Sequence, residues 1–282
     1  MTKYIYSGFA DEVSPVFSEQ IKVLKDLGLD QIEPRNIDGT NVSSLTREKA
    51  LEVASLLREN GIGVSSVGSP IGKQNVLEDF GPHFELFKNT VAVAKILGTK
   101  RIRMFSFYFP KGEEKTYRKE IFRRLRCLVD EAVKNDIVLC HENEEAIYGD
   151  SPEKCLEIMK EFDGSIRAVF DPCNFVVDGF ESFPKAYELL HDHIEYMHIK
   201  DADAEKCICP AGFGVGGIPE ILRLLSDRDT LTLTLEPHLK AFSGLDKLTI
   251  NPDELKRKFT YASPLEAFTA AYESLRKITD NI

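Results

Sequence analysis

The chain of 282 residues carries 36 Lys+Arg against 46 Asp+Glu, a formal net charge of −10. With 43 % hydrophobic and 29 % charged residues it has ample material for a core, which excludes a wholly disordered chain, and its acidic balance argues against the basic footprint of sequence-independent nucleic-acid binding. No run approaches the roughly 20 apolar residues of a membrane span, nothing after Met1 resembles a signal-peptide core, and six scattered cysteines read as reduced thiols of a cytoplasmic protein.

In chain order, short apolar runs alternate with longer amphipathic ones. The spacing predicts strands at Tyr4–Ala10, Gln31–Arg35, Val64–Gly68, Arg101–Phe105, Val138–Glu142, Arg167–Asp171, Ile194–His198 and Leu231–Glu236. It predicts helices near 16–27, 46–60, 82–97, 117–135, 152–162, 182–191, 218–227 and 264–278. Ser151-Pro152 and Ser263-Pro264-Leu265-Glu266 supply N-caps, and Gly28, Gly61 and Gly98 stand where helices should stop. Strict alternation of eight strands and eight helices predicts a single-domain (β/α)8 TIM barrel over residues 1–282. The connections 199–217 and 237–262 exceed about 15 residues, a length typical of functional lids. Together with the loop carrying Lys73 they are expected to close over a bound ligand.

In such a barrel the reactive groups sit at the C-terminal ends of the strands. Strand five ends in His141-Glu142-Asn143, strand six in Phe170-Asp171-Pro172, strand seven in His198-Ile199-Lys200-Asp201, and strand eight in Leu235-Glu236-Pro237-His238. Glu142, Asp171, His198 and Glu236 should therefore converge on one rim. Three carboxylates and an imidazole form a mixed oxygen/nitrogen set suited to one divalent ion, Mn²⁺, Co²⁺ or Mg²⁺ before Zn²⁺, because no thiolate takes part.

These strand ends, with Gly8-Phe9-Ala10-Asp11-Glu12, Ile32-Glu33-Pro34-Arg35, Ser69-Pro70-Ile71-Gly72-Lys73 and Ile102-Arg103-Met104-Phe105, carry a resemblance along almost the whole chain. The sequence resembles the xylose isomerase-like barrel superfamily, which includes tagatose and psicose 3-epimerases, hydroxypyruvate isomerase, inosose dehydratase and endonuclease IV. The resemblance implies that Glu142, Asp171, His198 and Glu236 bind the metal and that Glu142 and Glu236 form the acid/base pair. The expected activity is isomerisation or epimerisation of a keto-sugar or related polyol ketone, through proton abstraction and a metal-stabilised enediolate. An inosose-type dehydratase using the same groups, and a catalytically silent sugar-binding barrel, are the alternatives. Where the epimerases and endonuclease IV generally carry a histidine three residues after the strand-six aspartate, this chain has Asn174. Asparagine can bond a substrate hydroxyl but cannot shuttle a proton. With no histidine ending strands three and four either, the multi-metal nuclease site is disfavoured.

The two-residue strand period places Lys200 beside His198, His238 beside Glu236 and Glu33 beside Arg35. With Lys73 and Asn174, these residues are expected to contact substrate. Arg103, inside a barrel strand, needs an anionic partner such as Glu33, Glu142 or the substrate itself. His141 should point away from the centre. The run Gly212-Phe213-Gly214-Val215-Gly216-Gly217 resembles a dinucleotide loop but follows strand seven, the wrong place for one. It is expected to be a mobile loop over the site, in the usual phosphate corner of barrels. The partner expected is a small sugar or polyol, with no nucleic acid and no membrane; a homo-oligomer is compatible with the sequence.

Overall fold

The computed structural model describes residues 2–242 and 256–282. The barrel strands are β1 (Lys3–Gly8), β2 (Gln31–Ile32), β3 (Val67–Gly68), β4 (Arg101–Met104), β5 (Val138–Glu142), β6 (Ile166–Phe170), β7 (Ile194–Ile199) and β8 (Thr230–Leu235). Seven form one sheet in the order β1-β8-β7-β6-β5-β4-β3, and each neighbouring pair is parallel. β2 closes the ring. It pairs with a short stretch, Gly63–Val64, just before β3, while Glu33 N donates to Gly8 O (3.2 Å) and Gly68 N to Pro34 O (3.0 Å). This is the TIM barrel expected from the alternation.

The helices are α1 (Phe17–Leu27), α2 (Arg47–Glu59), α3 (Phe80–Leu97), α4 (Glu114–Lys134), α5 (Pro152–Glu161), α6 (Pro172–Asp178), α7 (Tyr187–Leu190), α8 (Ile218–Leu224) and α9 (Pro264–Thr279). Ser151 and Ser263 cap α5 and α9 as read from sequence. One departure matters for the site. The helix expected at 182–191 is a π-turn at Ser182–Ala186 followed by the short α7, and an additional helix, α6, begins directly at the end of β6. Asp171 is its N-cap, accepting from Asn174 N at 3.0 Å, with Pro172 in the first turn.

Strand alternation decides what lies inside the barrel. Ile102, Leu139, Ala168, Met197 and Leu233 face outward into the main core, against helix residues such as Leu24, Val91, Leu125 and Leu275. The intervening positions Arg103, Cys140, Glu142, Val169, Tyr196, His198 and Thr234 face the lumen, because a strand turns successive side chains to opposite faces. Cys140, Val169 and Tyr196 form a small apolar cluster of their own, separate from the main core. Above it the lumen is polar and charged.

Of the two long connections, 199–217 folds back as a hairpin in which Asp201–Ala202 pairs with Ile208–Cys209. Part of 237–262 lies outside the described residues; its far end joins the hairpin, with Ile208 N donating to Lys256 O (2.8 Å) and Lys258 N to Ile208 O (2.9 Å). The glycine run packs around a carboxylate of the same chain. Asp201 accepts from the backbone N–H groups of Gly212 (3.0 Å), Gly214 (3.2 Å) and Gly216 (3.0 Å). These donors point inward, forming an anion-binding nest already filled from within.

Candidate metal centre and its charged surroundings

Glu142, Asp171, His198 and Glu236 each offer one ligand atom, all within 4.8 Å of one another, and all four residues are buried. His198 Nδ1 stands 3.1 Å from Glu142 Oε1 and 3.1 Å from Glu236 Oε2. The convergence expected from four consecutive strand ends is present.

Each carboxylate is held from outside by a cation. Arg103 donates to Glu142 Oε2 (3.0 Å), the anionic partner its buried position demands. Arg35 donates to Glu236 Oε1 (2.9 Å) and forks onto both oxygens of Asp11 (3.0 Å each). Lys200 Nζ lies 3.1 Å from Asp171 Oδ2 and 3.6 Å from Glu236 Oε2. Asn174 Nδ2 bonds Asn143 O (2.8 Å) and Glu142 Oε1 (3.3 Å), and Asn143 clamps the backbone of Asp171 in both directions (2.9 and 3.0 Å). His238 sits between Glu12 and Glu236 (Nε2 to Oε1 3.6 and 3.5 Å) and stacks beside Phe242. Glu33 lies across the lumen against Tyr196 and His198. Lys73 reaches Glu144 (2.9 Å) over the ring of Phe105, farther along the rim.

His141 points outward, its Nε2 3.0 Å from Ser106 Oγ. Asp11, Glu12, Asn143 and Tyr196 belong to the charged cluster, and sequence reasoning assigned them no role. For Tyr196 the signal existed, because it precedes His198 by two residues and so shares its face. Asp11 and Glu12 follow β1 and become neighbours of Arg35 and Glu236 only through barrel closure.

Electrostatics explain why the set suits a dication. Burial pushes the Glu142 carboxyl up, but His198 and Arg103 outweigh it and hold it at about 2. Glu236 is likewise held well below the carboxylate range, burial being overcome by Lys200 and His198. Burial lifts Asp171 to about 7 despite Lys200. Six buried carboxylates (Asp11, Glu12, Glu33, Glu142, Asp171, Glu236) crowd Arg35, Arg103, Lys200 and the His198 imidazole. Burial raises Glu12 well above the carboxylate range, and at His198 burial is outweighed by the neighbouring acids, Glu142 and Glu33 first, which raise its pKa well above the ordinary value. Asp171 Oδ2 and Glu236 Oε2 are buried, with Lys200 Nζ and His198 Nδ1 respectively as polar neighbours at 3.1 Å. A buried, acceptor-rich site with three oxygens and one nitrogen within 4.8 Å fits a hard divalent ion.

A family model described as xylose isomerase-like TIM barrel matches residues 21–258. No curated protein matches the sequence. Among solved structures, D-allulose 3-epimerase from Methylomonas sp. aligns with a TM-score of 0.75 at 15 % identity, covering 100 % of this chain and 99 % of that one. The protein described as probable 3-DHS dehydratase AsbF from Bacillus anthracis aligns with a TM-score of 0.73 at 16 % identity, over 98 % of each chain. A xylose isomerase-like TIM barrel protein from Mycobacterium smegmatis, in complex with magnesium, aligns with a TM-score of 0.72 at 16 % identity, over 98 % and 96 % of the two chains. At these identities the likeness is one of fold. Among the described residues no helix is long and apolar enough to cross a membrane.

Proposed function

Because the chain belongs to the xylose isomerase-like TIM barrel family, we propose that it is a divalent-metal-dependent isomerase or epimerase of a keto-sugar or related polyol ketone. The observation that carries this reading is the pairing of Glu142 and Glu236 on either side of His198 Nδ1, each 3.1 Å away, in a buried four-residue set. Glu142, Asp171, His198 and Glu236 would hold the ion. Once bound, a divalent ion polarises a ketone and lowers the energy of negative charge on its oxygen.

The chain's own groups supply the rest. Glu142 and Glu236 are held ionised, so either can take the proton from the carbon next to the carbonyl while the other returns one. Return to the same carbon from the opposite face gives the epimer; where the proton comes from the terminal carbon, its return to the former carbonyl carbon, with a hydroxyl proton passing between the two oxygens, gives the aldose. Lys200, whose ammonium faces the same centre, would bind a substrate oxygen; Arg35, Asn174 and His238 line the rim for hydroxyls, and Lys73 stands at its edge. We read residues 1–282 as one catalytic domain. All six cysteines are free, which supports a reducing, cytoplasmic setting.

The test is incubation of Mn²⁺-loaded protein with a panel of ketoses and inososes in D₂O. The expected result is solvent deuterium at the carbon alpha to the carbonyl, with a new isomer as product. Loss of water instead of isomerisation would move the assignment to a dehydratase. Glu142→Gln and Glu236→Gln, assayed with metal occupancy measured alongside, should lose roughly 10²–10⁴ in turnover. A metal-replete Glu236→Gln protein with normal turnover removes that residue from the acid/base pair. Substrates returned unlabelled and unchanged across the panel would refute the reading.

A further inference from the structure

The imidazole of His198 has two ends, and the reading above uses only one. Nδ1 faces Glu142 and Glu236; on the opposite side Nε2 stands 3.4 Å from Glu33 Oε2. His198 and Glu33 are both 0 % exposed, and neither Nε2 nor that oxygen has a hydrogen bond elsewhere. The other oxygen of Glu33 accepts from Tyr196 OH at 2.8 Å. Tyr196 lies two residues before His198 on β7, so both point across the lumen to Glu33 beyond β2. Two rings meet the imidazole edge to face, Phe9 at 5.2 Å and Tyr196 at 5.6 Å between centroids.

We propose that Glu33, anchored by Tyr196, is the positioning residue that fixes the tautomer and ring orientation of His198. A neutral imidazole donates from one nitrogen and offers a lone pair from the other, and the partner of the first decides which is which. With Nδ1 given to a metal ion, the ring's proton sits on Nε2, and Glu33 Oε2, which has no other hydrogen bond, faces it at 3.4 Å as the acceptor. The lone pair of Nδ1 is then turned toward Glu142 and Glu236, where a metal ligand is needed. The 3.4 Å separation exceeds the roughly 2.7–2.9 Å of a formed charge-assisted bond, so a movement of about half an ångström along the lumen completes the contact. The same geometry accounts for a buried acid deep in the barrel that the proton-transfer chemistry does not use.

This inference rests on the metal site proposed above, and the experiment separates the two. Mn²⁺ affinity is measured by titration calorimetry on the full chain for wild type, Glu33→Gln, Tyr196→Phe and Glu12→Gln. Glu12 is another buried acid of the same cluster, set against Arg35 and His238 and not against His198, so its variant reports the effect of altering a buried acid elsewhere in the cluster. Loss of an orienting partner behind a ligating histidine typically weakens metal binding 10–100-fold. That loss is expected for Glu33→Gln, with a smaller one for Tyr196→Phe, which keeps the ring and its packing should Glu33→Gln fail to fold. In parallel, ¹⁵N NMR of histidine-labelled, Mg²⁺-loaded wild type should show His198 protonated at Nε2, with a downfield proton that moves upfield in either variant. Wild type that takes up no metal refutes the metal site itself. Wild type that binds, with Glu33→Gln matching it or Glu12→Gln weakened equally, overturns the positioning role alone, as does a proton found on Nδ1.

Discussion

Replacing Arg103 by Met should destabilise the metal-free protein severely and the metal-loaded protein much less. Arg103 and Glu142 are buried and 3.0 Å apart, an attraction of roughly 5.5 kcal/mol at an effective dielectric of about 20. Methionine keeps most of the side-chain volume and its contact with the Phe9 and Phe105 rings, over which the guanidinium lies at 5.2 and 4.9 Å. What it removes is the charge, and Glu142 stays buried with His198 and Asn174 as its remaining partners. Breaking one side of a buried pair costs about 3–5 kcal/mol, a fall of roughly 6–12 °C in Tm for a chain of this size. A divalent ion on Glu142 would supply the missing charge, so in saturating Mn²⁺ the loss should shrink to about half. Linkage makes the converse obligatory: a variant rescued by about 2 kcal/mol on binding holds Mn²⁺ roughly 30-fold more tightly than wild type. Thermal unfolding with Mn²⁺ and with EDTA, together with titration calorimetry, measures both sides of the cycle. An equal Tm fall in the two conditions would show that Arg103 and the ion do not share Glu142, and the charge accounting of the site would be wrong.

For wild type, Mn²⁺ at about 100 times its Kd should raise Tm by roughly 4–8 °C over the EDTA-treated protein; the rise should vanish in Asp171→Ala and His198→Ala, and its survival in either would exclude that residue as a ligand. His83 accepts a hydrogen bond from Gly72 N (2.9 Å), and burial, with Arg124 nearby, lowers its pKa to about 4. Its contribution to stability is therefore complete above about 6.5 and is lost as pH falls from 6.5 toward 4, where the unfolded chain takes a proton that the folded one refuses; His83→Gln, which can still accept from Gly72, should show a shallower fall in Tm across that window, and parallel curves would refute the assignment. Gly72 has φ +90° and a Cβ there would lie 2.0 Å from Phe105 O, so Gly72→Ala should cost roughly 3 kcal/mol or more in urea unfolding. A loss below about 1 kcal/mol would mean that the loop carrying Lys73 can step away from the end of β4.

The convergence of Glu142, Asp171, His198 and Glu236 was legible because strand alternation is a local property. Once a run is a parallel barrel strand, the residue at its C-terminal end and the one two before it share a face, which places Glu142 over Cys140 and His198 over Tyr196. Which cation meets which carboxylate is a property of closure, and that is not local. Arg35 reaches Glu236 and Asp11 because β2, β8 and β1 meet where the ring shuts, and the few ladder bonds of β2 leave little pattern to show it. The α6 helix escaped the periodicity reading for a different reason. It has seven residues, too few for a hydrophobic stripe, and its start is hidden because Asp171 serves at once as strand end, helix cap and site carboxylate.

The glycine run is a motif whose meaning is set by a distant residue. From its spacing and place it is expected to be a mobile loop over the site, in the usual phosphate corner of barrels. Asp201, between 11 and 15 residues earlier, accepts from three of its backbone N–H groups. Gly214 and Gly216 are required there because a Cβ at either would come within 2.2 and 2.7 Å of Asp201 Oδ1. The glycines therefore serve close approach to a carboxylate of the same chain, which fixes the loop beside β7. Among the described cations expected to meet substrate, Lys200, Arg35 and Lys73 each already hold a carboxylate. A phosphoryl group bound by any of these three would have to displace that internal partner.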